Sequence, residues 1–152
     1  MSGPALRVLI VEDEAFIALE LECLIEEAGH VAVGVATRSQ EAVALARDLS
    51  PDVALVDVHL ADGPTGIGVA QDLSARPGTT VLFTTANAKR VPPDFAGAAG
   101  IIAKPYSERV IRAALAYVAW RRHGGASTEP PDGVVLSPAI RGDAAPDPDL
   151  PD

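Results

Sequence analysis

Three shortages bound what this chain of 152 residues can be. No apolar run approaches the roughly 18 residues that cross a bilayer, and the VLIV run near the start meets acid too soon to be a signal peptide. Neither membrane insertion nor export is expected. There is one cysteine, Cys23, so an intramolecular disulfide framework is excluded. Positive charge is also short: 12 Lys and Arg stand against 21 Asp and Glu, a formal net charge of −9. That balance has the wrong sign for gripping nucleic acid or an anionic membrane. The expectation is a cytoplasmic protein whose partners are proteins or cations, with no nucleic acid and no membrane among them.

What the chain does have is aliphatic residues in short runs. At 48% hydrophobic, it can build one domain with a real core but has little room for a second. RVLIV (7–11) is β-branched and continuous, the pattern of a strand covered on both faces. In the stretch after it, Ile17, Leu21, Leu24, Ile25 and Ala28 recur at helical spacing and Gly29 offers a stop. Further strands are expected at 31–36, 53–58, 79–85 and 100–104, and further helices at 39–49, near 66–75 and over 107–122. Thr37 and Gln40 suggest a capping box for the second helix, with Ala42, Val43, Ala46 and Leu49 on its inner face. Five strands alternating with helices imply a doubly wound, five-stranded parallel sheet of the α/β class.

Beyond the last helix the composition changes. From Gly124 to Asp152 there are six prolines and six acids against one arginine, which predicts a mostly disordered tail over 123–152. Only VVLSPAI (134–140) is apolar enough to dock, through Val134, Val135, Leu136 and Ile140.

Open parallel sheets bind ligands at the carboxyl ends of their strands. Glu12 and Asp13 follow the first strand, Asp57 ends the third, Thr84 and Thr85 the fourth, and Lys104 the fifth. Three carboxylates brought together repel one another unless a divalent cation lies between them, and hard oxygen donors suit Mg²⁺. A lysine and a threonine hydroxyl beside them would hold a phosphoryl group.

LIVEDE, ALVDVHL, LFTTA and IIAKPY, in that order and spacing, resemble the receiver domain of two-component response regulators over about residues 5–122. The resemblance implies the flavodoxin-like receiver fold and a phosphoacceptor signalling protein in place of an enzyme. Asp57 matches the aspartate phosphorylated by a histidine kinase. Glu12 and Asp13 match the acidic pair that holds Mg²⁺, with Asp57 and the backbone carbonyl of His59 completing the protein ligands. Thr85, followed by Ala86, matches the switch hydroxyl, and Lys104 before Pro105 matches the phosphate-contacting lysine.

Two departures stand out. The position three before Lys104, usually aromatic, is Ile101, and the segment between Thr85 and Lys104 is short, with Pro92, Pro93, Gly97 and Gly100, so a full fourth helix hardly fits. A loosely packed segment over 87–99 is expected to take its place. LFTTAN with this shortened segment resembles the receiver subfamily named for its FAT GUY motif: Phe83 and Thr85 match, Ala86 and Asn87 do not. That likeness implies a single-domain regulator served by a histidine kinase of the HWE or HisKA2 type. Two rival readings are a receiver-like module that binds proteins without phosphorylation and a phosphatase of the haloacid dehalogenase class. The second needs an aspartate two residues after Asp57, where this chain has His59.

Overall fold

A computed structural model describes residues 5–125 and 129–141. The aliphatic runs form β1 (Arg7–Val11), β2 (Val31–Ala36), β3 (Val53–Asp57), β4 (Thr80–Thr85) and β5 (Gly100–Ala103). The periodic stretches form α1 (Ala15–Glu27), α2 (Ser39–Leu49), α3 (Gly66–Ser74) and α4 (Glu108–Arg122). The strands lie in the order β2-β1-β3-β4-β5, all parallel, so the chain reverses direction across the sheet between β1 and β3. A ligand crevice belongs at such a switch point.

Side-chain alternation explains how continuous aliphatic strands fill two cores. Leu9, Val11, Ala54, Val56, Val81 and Phe83 face one side, where α2 and α3 contribute Ala42, Ala46, Val69 and Leu73. Val8, Ile10, Val53, Leu55 and Leu82 face the other, against Leu21 and Ile25 of α1 and Ile111 and Leu115 of α4. Ser107 caps α4, its hydroxyl accepting from the Val110 N–H at 3.2 Å. At α2 the expected box between Thr37 and Gln40 is replaced. The Glu41 carboxylate accepts from the Thr37 N–H at 2.7 Å, and Asp62, from the loop after β3, accepts from the Ser39 hydroxyl at 2.5 Å. The local acid Glu41 has taken the role expected of the Gln40 amide, and the distant Asp62, which also accepts from the Ser39 N–H, the capping role expected of the Thr37 hydroxyl. The hydroxyls of Ser39 and Thr65 donate to Asp62 and hold its carboxyl down at about 2, below the usual carboxylate range.

Between β4 and β5 there are two single 3₁₀ turns, Ala88–Arg90 and Phe95–Gly97, and no α-helix. The segment is better packed than its prolines and glycines suggest: Val91, Ala96 and Ala98 are buried in the core on the α2/α3 side. In the tail, the apolar stretch singled out for docking does pack on the body, and it does so as a strand that the five-stranded expectation lacked. Residues Val134–Leu136 form a sixth strand, β6, antiparallel to β5, and Pro138–Arg141 a final helical turn, α5. Val134 and Leu136 alternate inward beside Ile102, Ile111 and Leu115, and Gly100 leaves room for the incoming backbone, since a Cβ there would stand 2.9 Å from the Val135 carbonyl oxygen. Residues 126–128 and 142–152 lie outside the described residues. No helix among the described residues is long and apolar enough to cross a membrane.

Candidate functional site

The carboxyl ends of β1, β3, β4 and β5 meet in a crevice of about 350 Å³ lined by Asp13, Asp57, His59, Thr85, Asn87 and Lys104. Glu12, at the end of β1, is buried at 1% exposure. Parallel pairing sets the register: Asp57 lies beside Thr84, and Thr85 beside Ala103. The Lys104 N–H donates to the Thr85 carbonyl at 2.8 Å and so fixes the lysine at the strand end. The Lys104 ammonium then reaches across the crevice, donating to Glu12 Oε1 at 2.7 Å and Asp57 Oδ2 at 2.8 Å.

Glu12, Asp13 and Asp57 each offer an oxygen, and these oxygens lie within 4.8 Å of one another. Burial first, and then the neighbouring Asp57, push the Glu12 carboxyl up to about 7, while Lys104 opposes the rise. For Lys104, burial works against the charge, but its hydrogen bonds to Asp57 and Glu12 outweigh it and hold the ammonium above its ordinary value. The site therefore carries more negative charge than one lysine comfortably balances. Clustered hard oxygen donors of this kind fit a divalent cation such as Mg²⁺.

Of the residues singled out in the sequence, Asp13, Asp57, His59, Thr85 and Lys104 line this crevice, and Glu12 joins them through Lys104. Side-chain alternation along β4 separates the two threonines: Thr85 lines the crevice and Thr84, though buried, does not. The Thr85 hydroxyl accepts from the Asn87 N–H at 3.0 Å. His59 is exposed, and its N–H approaches Asp57 Oδ1 at 3.3 Å. Ile101, where an aromatic ring would be usual, is buried in the core at 5% exposure. Cys23, on α1, is exposed and is not among the residues that line the crevice.

Two participants were missed in the sequence. Gly66, the first residue of α3, donates its N–H to the Val58 carbonyl at 2.9 Å, and a Cβ on it would sit 1.9 Å from the Asp57 carbonyl oxygen. Only glycine lets α3 press against the backbone that carries Asp57. The signal was there, a glycine opening a helix, but its meaning lies in a contact that the sequence does not display. Tyr106, two residues after Lys104, buries its hydroxyl without a hydrogen-bond partner, and burial holds that hydroxyl above its ordinary value.

A family model described as the response regulator receiver domain matches residues 8–116. The phyllosphere-induced regulator PhyR of Methylorubrum extorquens is 37% identical over 113 residues, covering 73% of this chain and 42% of that protein. The transcriptional regulatory protein PdtaR of Mycobacterium tuberculosis is 36% identical over 104 residues, or 66% of this chain and 50% of that one. Among solved structures, the response regulator PhyR from Brucella abortus superposes with a TM-score of 0.72 at 29% identity, over 81% of this chain and 51% of that one. The chain thus spans about half the length of these relatives.

Proposed function

Since the chain belongs to the response regulator receiver domain family, we propose that it accepts a phosphoryl group on Asp57 from the phosphohistidine of a histidine kinase and signals through protein contacts. The observation that carries this reading is the Lys104 ammonium held between Asp57 and the buried Glu12, because it leaves the nucleophile beside a fixed positive charge in an acidic crevice. An Asp57 carboxylate oxygen attacks phosphorus, the P–O bond forms as the P–N bond to the kinase histidine breaks, and the electron pair leaves with the imidazole. Phosphoryl transfer asks the protein mainly for positioning and charge neutralisation.

Glu12, Asp13, Asp57 and the His59 carbonyl would hold Mg²⁺, which offsets the repulsion between carboxylate and incoming phosphate. Lys104 is placed to follow the new phosphate oxygens as a point charge. The Thr85 hydroxyl accepts from the Asn87 N–H and keeps its own O–H to donate to the phosphate. The acyl phosphate adds charge of roughly −1.5 to −2, if it titrates as other phosphates do, which draws Lys104 and Thr85 inward and with them the segments they begin. The likeness of the shortened segment after β4 to the FAT GUY receivers favours a kinase of the HWE or HisKA2 type as donor.

Transfer from phosphorylated kinase tests the reading. Radiolabel should pass to the native chain in Mg²⁺, fail in EDTA, and fail with Asp57→Asn. Undiminished labelling of Asp57→Asn rejects Asp57 as acceptor. Labelling in EDTA equal to that in Mg²⁺ rejects the metal.

A further inference from the structure

Without its tail this sheet would end at β5, and an uncovered edge presents unpaired N–H and C=O groups on which another chain's strand can assemble. Here β6 covers that edge in cis. It has the marks of a replaceable occupant. The ladder is short, pairing Gly100, Ile101 and Ile102 with Leu136, Val135 and Val134, with one further bond from the Ser137 N–H to the Ala99 carbonyl at 2.8 Å. The middle residue, Val135, is 53% exposed, so two side chains of the strand supply its burial.

The occupant also underfills its seat. A cavity of about 270 Å³ remains between Val134, Leu136 and Ile140 of the tail and Leu82, Ala114 and Val118 of the body. This groove is partly open to solvent, and a larger apolar side chain would exclude that water and add dispersion contacts which the present side chains do not make. Yet the path of the backbone is built in. Gly133, at φ +82°, passes so close to α4 that a Cβ would stand 2.6 Å from Val110 Cγ2, and Gly100 clears the way over β5. Charge frames the entry, with Arg109 of α4 paired to Asp132 just ahead of the strand.

We propose that the β5 edge is a docking groove for an extended strand of a partner protein, and that residues 134–140 of this chain are its resting, displaceable occupant. The partner segment alternates buried apolar with exposed residues, carries bulkier apolar side chains than Val134 and Leu136, and bears a carboxylate ahead of the strand for Arg109. Ladder bonds give such docking its affinity, and the pockets for alternate side chains give it specificity. The inference stands apart from phosphoryl acceptance by Asp57 and is tested without it.

The probes are two fluorescent peptides, one with the sequence of residues 129–141 and one with Leu136→Phe in that sequence, read by anisotropy against the full chain and its Leu136→Asp variant. A tethered strand competes at high effective concentration, so the native chain should bind the native peptide weakly and the Leu136→Asp chain at least about tenfold more tightly. The phenylalanine peptide should bind that variant more tightly again. A folded Leu136→Asp chain that binds neither peptide better than the native chain overturns the proposal, and a phenylalanine peptide that binds no better than the native one overturns the bulkier partner. Hydrogen exchange in the native chain decides the matter even if the variant does not fold. The Ser137 amide should exchange at least about 100-fold faster than the amides of β4, by local release of the tail. Equal rates, with the tail leaving only on global unfolding, overturn the proposal.

Discussion

Lys104 joins Glu12 and Asp57 through one ammonium group, and at the scale of single residues this is the contact on which the site turns. Lys104→Met keeps the length of the side chain and removes the charge. We expect the phosphorylation rate to fall about 10²-fold or more, as when one preorganised donor is removed from a charged transition state, while circular dichroism shows the chain still folded. A variant labelled at the native rate would relieve Lys104 of that role. Of the residues in the crevice, the sequence made Asp57 and Lys104 legible because each closes a strand, whereas Thr84 and Thr85 both close β4 and only the direction of alternation separates them.

His30 carries a different lesson. It follows the turn at Gly29, and its Nδ1 accepts from the Leu6 N–H at 2.9 Å, tying the end of α1 to the start of β1. Burial lowers its pKa from the ordinary 6.5. The unfolded chain therefore binds the proton more readily, and the His30 contribution to stability is present above pH 6.5 and is lost as pH falls through that value and below. Urea midpoints at about pH 7.5 and about pH 5 should show native stability dropping more on acidification than that of His30→Gln. Equal drops would remove His30 from the account.

At the scale of elements, the first five strands were legible because their aliphatic runs need no knowledge of partners. The start of α3 was not. Gly66→Ala should push α3 off the backbone of Asp57, where a Cβ would meet the carbonyl oxygen at 1.9 Å. Lower stability together with slower phosphorylation is the expected result, and unchanged values for both would show that the contact is dispensable. The segment between β4 and β5 behaves as its prolines dictate, since two short 3₁₀ turns stand where a helix would usually be, although buried Val91, Ala96 and Ala98 tie it to the core more firmly than composition implied. We expect phosphate at Asp57 to order it through Thr85, whose hydroxyl holds the Asn87 N–H. Amides over 87–99 should exchange faster than those of β4 and gain protection with beryllofluoride. No gain in protection would argue against an order–disorder switch.

At the scale of the whole molecule, the acidic balance of the chain and the strand-end carboxylates belong together: a net charge of −9 disfavours approach of an anionic phosphoryl group except where Lys104 and a divalent cation counter it. The tail shows where sequence reading stops at this scale: it singled out the docking segment but not its seat. Its prolines and acids describe most of 123–152, but the few alternating apolar residues at 134–136 find an edge strand whose availability no local pattern announces. Among the described residues the sheet has six strands for that reason and not five. The most direct measurement of the central claim is reductive trapping of the acyl phosphate after incubation with phosphorylated kinase and Mg²⁺, followed by peptide mass mapping. The account predicts one modified residue, Asp57, with Glu12 and Asp13 unmodified. Modification at Glu12 or Asp13, or an unmodified Asp57 in a chain that has taken up phosphate, would contradict it.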